Sequence, residues 1–268
     1  MISLRRISAI VLRQTYLLRG SPVRLLPLVV WVAIDMLLWG FMTRYLAGIV
    51  PSGVQPVLAI LGAVLLWDFF IRIMQGVTMP FMEDVWSRNF LNFFATPLRV
   101  GEYVAGLVLS SILTSTIGVL VMLLLAGVVF GLSFTAYGSV IVPFVVFLFL
   151  FGISFGVLGC AIMLRFGPAA EWLIWPIPAM IAPFVGVFYP LEVLPAWMRA
   201  IGQVLPPSYI FEGLRAVVSG GQVSSGELFL SGALVLVYLA GALAIFWRTY
   251  RHAVRTGLIA RYSAENLA

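Results

Sequence analysis

Six long apolar segments constrain the fold of this 268-residue chain more than any other feature of its sequence. They lie at about 25–46, 55–79, 103–130, 138–164, 170–189 and 228–247. As an α-helix, each segment is long enough to cross the roughly 30 Å hydrocarbon layer of a bilayer. Because 62% of the residues are apolar and only 10% are charged, a water-soluble fold is excluded. The sequence therefore predicts an all-α membrane protein with six transmembrane helices.

The segment before the first span, residues 1–24, has the pattern of an amphipathic helix at the membrane interface. Its apolar residues recur at helical spacing on one face: Leu4, Ile7, Val11 and Leu18. Arg6 and Arg13 lie on the opposite face, where we expect them to meet water and lipid head groups. A cleaved secretory signal is the alternative, but the apolar core of a signal begins sooner after its charges.

The distribution of arginine indicates the orientation of the spans. All 16 basic residues are arginine. With the N-terminus inside, twelve of them lie in cytoplasmic segments, whereas only Arg199 and Arg215 lie in external ones. Cytoplasmic connections normally carry this excess. We therefore predict that both termini are cytoplasmic, with an interfacial helix at 1–24, a six-span domain at 25–247 and a basic cytoplasmic tail at 248–268.

Two connections are too long to be simple turns. The cytoplasmic segment 81–101, between spans two and three, is predicted to contain a short amphipathic helix that Asp84 caps and Pro97 ends. The external segment 190–227, before span six, contains prolines that favour helix starts. Because unsatisfied backbone groups are costly in the outer leaflet, we expect short re-entrant helices there.

Ionisable residues within the predicted spans are candidates for function, because such residues are expensive at that depth. Trp31, Asp35 and Trp39 are spaced by four and share one stripe of the first span. Asp35 faces either a transport pathway or a buried structural contact. Asp68 and Arg72 in the second span are also four apart and are expected to form an ion pair. A proton relay is the alternative for this pair.

Small and hydroxyl side chains predict how the spans pack. The fourth span contains Gly152, Gly156 and Gly159, which permit close approach of a neighbouring helix. The third span carries a run of hydroxyl groups, which can bond across helices, and helix packing is their expected role: Ser110, Ser111, Thr114, Ser115 and Thr116.

The chain has no lysine, one cysteine and one histidine, which excludes several kinds of chemistry. Without lysine it has no phosphate-binding loop of the form G-x-x-x-x-G-K-[ST]. Cys160 and His252 alone cannot complete a tetrahedral metal site or a nucleophile–base pair. We therefore predict no catalytic residue, no metal site and no cofactor bound by this chain. Its arginines lie between apolar spans rather than in one stripe, which indicates membrane lipids as partners and not nucleic acid.

Two motifs, each in a distinct topological position, point to a known family. The segment R-N-F-L-N-F-F-A-T-P-L-R-V-G follows the second span and contains T-P-L at Thr96–Leu98. The pattern L-P-x-W…L-P…E-x-L-R runs from Leu194 to Arg215, before the sixth span. With this order of parts, the chain resembles the permease subunits of type-2 ATP-binding-cassette (ABC) exporters. The resemblance implies a location in the bacterial inner membrane.

The resemblance implies a role for each connection. The segment between spans two and three would be a coupling helix that docks on a separate ATP-binding subunit. Its candidate docking residues are Glu83, Asp84, Trp86, Arg88, Asn89 and Phe93. Two such subunits, which bind ATP and Mg, would drive two permeases, expected as a homodimer. Spans one and five would line the route, and an external gate of Glu192, Glu212 and Arg215 would close its outer end.

The leading hypothesis is therefore a non-catalytic permease that exports an amphipathic or lipid-linked substrate, namely a polysaccharide, a lipid or a drug. An ion- or proton-coupled secondary transporter is the alternative, although the sequence has no inverted repeat and few intramembrane acids. A third hypothesis is an intramembrane enzyme that acts on lipid. It would need a convergent nucleophile and base, which His252 and Cys160 do not provide, and an acidic pair such as Asp35 and Asp68 is the remaining candidate.

Overall fold

The computed structural model describes residues 3–49, 57–87 and 89–258, and within these ranges the chain is helical and has no strand. The α-helices are α1 (Leu4–Arg19), α2 (Pro22–Ala47), α3 (Gly62–Trp86), α4 (Asn89–Phe94), α5 (Val100–Phe130), α6 (Ile141–Phe166), α7 (Glu171–Ile174), α8 (Ile177–Val185), α9 (Ala196–Gln203), α10 (Pro206–Val218) and α11 (Ser225–Arg255). A π-helical turn, Val57–Leu61, precedes α3, and 3-10 turns lie at Phe134–Val140, Pro168–Ala170 and Leu191–Val193.

Six helical segments of the described chain are long and apolar enough to cross a membrane. They are Val29–Ala47, Leu58–Trp86, Val100–Phe130, Tyr137–Phe166, Pro168–Val185 and Ser225–Arg255. The prediction of an all-α membrane protein with six spans is confirmed. Two boundaries differ by more than five residues: the second span continues to Trp86 instead of 79, and the sixth helix continues to Arg255 instead of 247.

The second span is longer than predicted because α3 continues through Pro80. A proline removes one backbone hydrogen bond, and its ring crowds the carbonyl of the residue four positions earlier. Helices in membranes tolerate this where neighbouring helices pack around them. Phe81 and Met82 beyond the proline are both buried. Asp84 therefore lies within α3 and does not cap the following short helix, so that part of the prediction is wrong.

Helix α3 lies between α5 and α6 and forms the centre of the bundle. Glycines in α6 bring the two helices together. An ideal Cβ at Gly156 would lie 2.8 Å from the Cβ of Val77 and 3.0 Å from the carbonyl oxygen of Met74. The Thr78 hydroxyl lies 3.2 Å from the Gly156 carbonyl oxygen. The predicted close approach at this glycine is confirmed.

A methyl group added at Gly156 is expected to destabilise the bundle by about 1–3 kcal/mol, because it overpacks the α3–α6 contact. Thermal unfolding of the purified chain in detergent measures this effect. Gly241→Ala in α11 is the matched control, since an ideal Cβ there meets nothing within 4 Å. Equal unfolding temperatures for the two variants would contradict a tight contact at Gly156.

The hydroxyl groups of α5 bond to carbonyls of their own helix, and no bond from them to another helix is found among the described residues. The Ser110 hydroxyl donates to the Gly106 carbonyl at 2.8 Å, and the Thr116 hydroxyl donates to Ile112 at 2.7 Å. A carbonyl three or four residues earlier is always within reach of such a side chain. Ser115 is the exception, because its buried hydroxyl has no hydrogen-bond partner in the described chain.

Helix α1 lies along α5, with Ile7, Ile10 and Gln14 buried. The predicted polarity of this helix is wrong in part. Leu4, assigned to the apolar face, is 80% exposed. Arg6 and Arg13, assigned to the outward face, instead form ion pairs with acidic residues of α5 and α3. Glu102 and Asp84 are buried, and a buried carboxylate without a partner destabilises the fold. Pairing with these acids is therefore more favourable for the two arginines than facing water.

The two ends of the bundle are built differently. We call the end of the bundle that carries α1 and α4 the α1 end. At the opposite end, α9 begins after Pro195 and α10 begins at Pro206 and Pro207, where proline suits the first turn of a helix. Helix α10 packs against α11 and α6. The short helices predicted in segment 190–227 are present.

Candidate functional site

A cavity of about 670 Å³ opens between α1, α2, α3 and α5, with Trp175 from the fifth span also lining it. A cavity of this size suits a drug-sized ligand. Its polar and charged lining residues are Gln14, Arg24, Asp35, Asp68, Arg72, Gln75, Glu83, Ser110, Thr114 and Ser115. The cavity therefore extends from α1 into the transmembrane region of the bundle.

Four of the five residues predicted for a pathway meet in this cavity. Trp31, Asp35, Asp68 and Arg72 all line it. Trp39 does not, although it shares a helical stripe with Trp31 and Asp35. Its ring instead stacks on Phe188, with ring centroids 4.5 Å apart.

Asp68 and Arg72 form the predicted ion pair, with 3.1 Å between the Arg72 Nη2 and the Asp68 Oδ2. The Arg72 Nε lies 3.3 Å from the same oxygen. Both side chains are largely buried. Gly118 of α5 provides the space for the guanidinium, because an ideal Cβ at Gly118 would lie 2.8 Å from the Arg72 Cδ.

Asp35 has a different environment. Its half-buried side chain lies in the middle of α2 and lines the cavity. Across residues 3–49, 57–87 and 89–258, no hydrogen bond or ion pair involves its carboxylate. The charge of Arg72 acts on Asp35 only through space, and Arg72 is already paired with Asp68.

The sequence analysis did not assign a pathway role to Gln14, Ser115 or Trp175, which also line the cavity. Gln14 is 6% exposed, and its Nε2 has no hydrogen-bond partner among the described residues. Ser115 is 2% exposed, and its Oγ also has no hydrogen-bond partner among the described residues. The only sequence signal for Gln14 is that it follows Ile7 and Ile10 at helical spacing, as one polar residue in a buried stripe.

A cluster of Arg13, Asp84, Phe93 and Tyr103 joins four helices at the α1 end. The Asp84 carboxylate, only 1% exposed, accepts hydrogen bonds from both terminal nitrogens of Arg13 at 2.5 and 3.0 Å. The Tyr103 hydroxyl donates to it at 2.6 Å. The Arg13 guanidinium also lies 4.9 Å from the ring centroid of Phe93 in α4. We call this set the Arg13 cluster.

Two further ion pairs hold α1 and the start of α2 against the bundle. Glu102 accepts hydrogen bonds from the backbone nitrogens of Arg99 and Ser3 at 2.9 and 2.8 Å, and from Arg6 at 3.3 Å. Arg24 lies 2.6 Å from Glu83. Together with the Arg13 cluster, these contacts tie α1, α2, α4 and α5 to the end of α3.

The predicted docking residues have unequal exposure. Trp86, in the last turn of α3, is 47% exposed. Asn89 is half-buried at the start of α4. Glu83 pairs with Arg24, whereas Asp84 and Phe93 belong to the Arg13 cluster. Arg88 lies outside the described residues.

Two of the three predicted external gate residues are close together. Glu212 accepts a hydrogen bond from the Leu191 backbone nitrogen at 2.6 Å and from Arg215 at 2.8 Å. Arg215 also donates to the carbonyl of Gly186 at 2.7 Å. Gly186 ends α8 with a φ of 68°, a conformation that favours glycine. Glu192 is exposed, and its backbone carbonyl accepts a hydrogen bond from Arg199.

Comparison with known proteins identifies a family for this chain. A family model described as ABC-2 type transporter matches residues 7–218. The matched region includes the cavity-lining residues, the Arg13 cluster and the Glu212–Arg215 pair. No curated protein matches the chain.

Proposed function

Because the chain belongs to the ABC-2 type transporter family, the permease component of type-2 ABC transporters, we propose that it is one half of an ATP-driven exporter. A separate ATP-binding subunit supplies the energy. The observation that carries this proposal is the family match across residues 7–218, which includes both the cavity and the Arg13 cluster. The chain is a multi-pass membrane protein and the transport subunit of this system.

In this proposal the α1 end faces the cytoplasm of a bacterial inner membrane, and both termini lie on that side. Arginine distribution supports this orientation. In addition to the arginines of α1, Arg165 ends α6, and Arg248, Arg251 and Arg255 lie near the end of α11. Among the described residues, the opposite end carries three arginines: Arg44 in the last turn of α2, and Arg199 and Arg215 in the short connecting helices. Such an excess of arginine is typical of cytoplasmic surfaces.

The ATP-binding subunit docks on the exposed end of α3 and on α4. Trp86 is the anchor, because exposed aromatic residues often supply much of the energy of a protein interface. Asn89 extends this surface into α4, and Arg88, which lies outside the described residues, is proposed from the sequence as a further docking residue. Glu83, Asp84 and Phe93 support it from inside through their contacts with α1, α2 and α5. Two ATP-binding subunits, with ATP and Mg, act on a homodimer of this chain.

Helix α3 transmits the conformational change of the ATP-binding subunits to the cavity. Trp86 lies in its last turn, while Asp68 and Arg72 line the cavity several turns away on the same helix. Binding of ATP favours one arrangement of the partner dimer, and a rigid helix passes that preference to the cavity. At the far end, Glu212 and Arg215 hold the turns after α8 against α10, and with Glu192 they form the outer gate.

The transported substrate is amphipathic or lipid-linked, and the energy source separates this proposal from a secondary transporter. Inverted membrane vesicles with and without the chain are given ATP or a proton gradient alone. Movement of a fluorescent phospholipid or of rhodamine 6G is followed. We expect chain-dependent transport that needs ATP and is inhibited by vanadate. Transport driven by the proton gradient without ATP would instead support the secondary transporter.

A further inference from the structure

We propose that the cavity between α1, α2, α3 and α5 binds an organic cation with an apolar body, and that Asp35 is its counter-ion. This inference rests on the proposed function, because it names the substrate class of the same permease. It narrows the amphipathic or lipid-linked substrate to a positively charged amphipathic molecule.

The charges that line the cavity leave one carboxylate uncompensated. Among the residues that the structure describes, two arginines and three acidic residues line it: Arg24, Arg72, Asp35, Asp68 and Glu83. Arg24 pairs with Glu83 at 2.6 Å, and Arg72 pairs with Asp68 at 3.1 Å. The opposite charges within each pair cancel. The described lining therefore carries one net negative charge, which belongs to Asp35.

The position of Asp35 makes a purely structural role a poor explanation. A charged group in the middle of a span is expensive unless it is paired or faces a cavity. In the part of the chain that the structure describes, no donor is bonded to the Asp35 carboxylate. A cationic ligand in the cavity provides the missing partner.

Two indole rings complete a site for a cation. Trp31 lies one helical turn before Asp35, on the same face of α2, and is 63% exposed. Trp175 reaches the cavity from the fifth span and is also exposed. A cation over the face of tryptophan is attracted by the ring quadrupole. The same rings present apolar surface to the body of the ligand.

The two unpartnered polar atoms point to hydrogen bonding as well as charge. Gln14 Nε2 and Ser115 Oγ belong to side chains more than nine-tenths buried, and both residues line the cavity. A buried donor without a partner destabilises the protein. A ligand with a carbonyl, ether or hydroxyl oxygen satisfies these groups. An anionic head group fits poorly, because both guanidinium groups are already paired and Asp35 repels it.

Two ions of the same shape and opposite charge test the proposal: tetraphenylphosphonium and tetraphenylborate. Their binding to the purified full-length chain in detergent is measured by equilibrium dialysis without ATP. We expect the phosphonium to bind more tightly than the borate. Asp35→Asn should weaken phosphonium binding at least about tenfold, whereas Asp35→Glu should restore most of it. Trp31→Ala should weaken it about threefold to tenfold.

The matched control is Glu227→Gln, which removes an exposed carboxylate in the first turn of α11, at the opposite end, and should leave binding unchanged. Trp31 is exposed, so Trp31→Ala tests the site even if Asp35→Asn fails to fold. Tighter binding of the borate, or unchanged phosphonium binding in Asp35→Asn, would overturn the inference. Because binding is measured without ATP, failure of the ATP-driven exporter proposal would leave this result intact, and the two failures are distinguishable.

Discussion

Replacing Arg13 with methionine is expected to destabilise the purified chain by about 3–5 kcal/mol, because removal of one partner leaves a buried charge uncompensated. The Asp84 carboxylate, which is 1% exposed, would retain only the hydrogen bond from Tyr103. The contact between the guanidinium and the ring of Phe93 would also be lost. Thermal unfolding in detergent, followed by size-exclusion chromatography, measures the change.

Arg5→Met is the matched control for Arg13→Met, since Arg5 lies on the same helix and is exposed. The double variant Arg13→Met with Asp84→Asn removes both charges and keeps an oxygen that accepts from Tyr103. We expect this variant to be more stable than Arg13→Met alone. If Arg13→Met unfolds at the same temperature as Arg5→Met, the Arg13 cluster does not stabilise the fold.

Replacing Trp86 with alanine is expected to weaken binding of the ATP-binding subunit by at least about 2 kcal/mol, or roughly 30-fold, if Trp86 is the anchor of the interface. Because nearly half of its surface is exposed in the isolated chain, the unfolding temperature should change little. The amount of ATP-binding subunit that remains bound after affinity purification measures the effect.

Trp197→Ala provides the control for Trp86→Ala. Trp197 is an exposed tryptophan in α9, at the opposite end of the bundle. Its removal should leave the ATP-binding subunit bound. Full retention of that subunit by Trp86→Ala would exclude the end of α3 as the main docking site.

The spans could be predicted from the sequence because their length and apolarity are local properties. The role of α1 could not be predicted in full, because its partners are distant in the chain. Arg13 and Asp84 are 71 positions apart, and Arg6 and Glu102 are 96 apart. Without those partners, arginines on an amphipathic helix resemble residues that face lipid head groups. The same tertiary contacts explain why Asp84 is buried in the bundle and does not cap α4.

The cavity was predictable only in part, for a related reason. Asp35, Asp68 and Arg72 could be found because ionisable residues within spans are rare. Gln14 and Ser115 are ordinary residues on their own helices, and only the packing of α1 against α5 brings them to the cavity. Trp39 shows the opposite case, since helical spacing puts it in line with Asp35, but a different neighbour, Phe188, covers it.

Affinity purification of the chain from native membranes, with quantitative mass spectrometry of the proteins that co-purify, tests the central claim most directly. The claim is that a separate ATP-binding subunit drives this permease. We predict one ATP-binding subunit for each copy of the chain, retained with wild-type protein and lost with Trp86→Ala. A chain that purifies without any ATP-binding protein, and that transports in vesicles without ATP, would contradict the account.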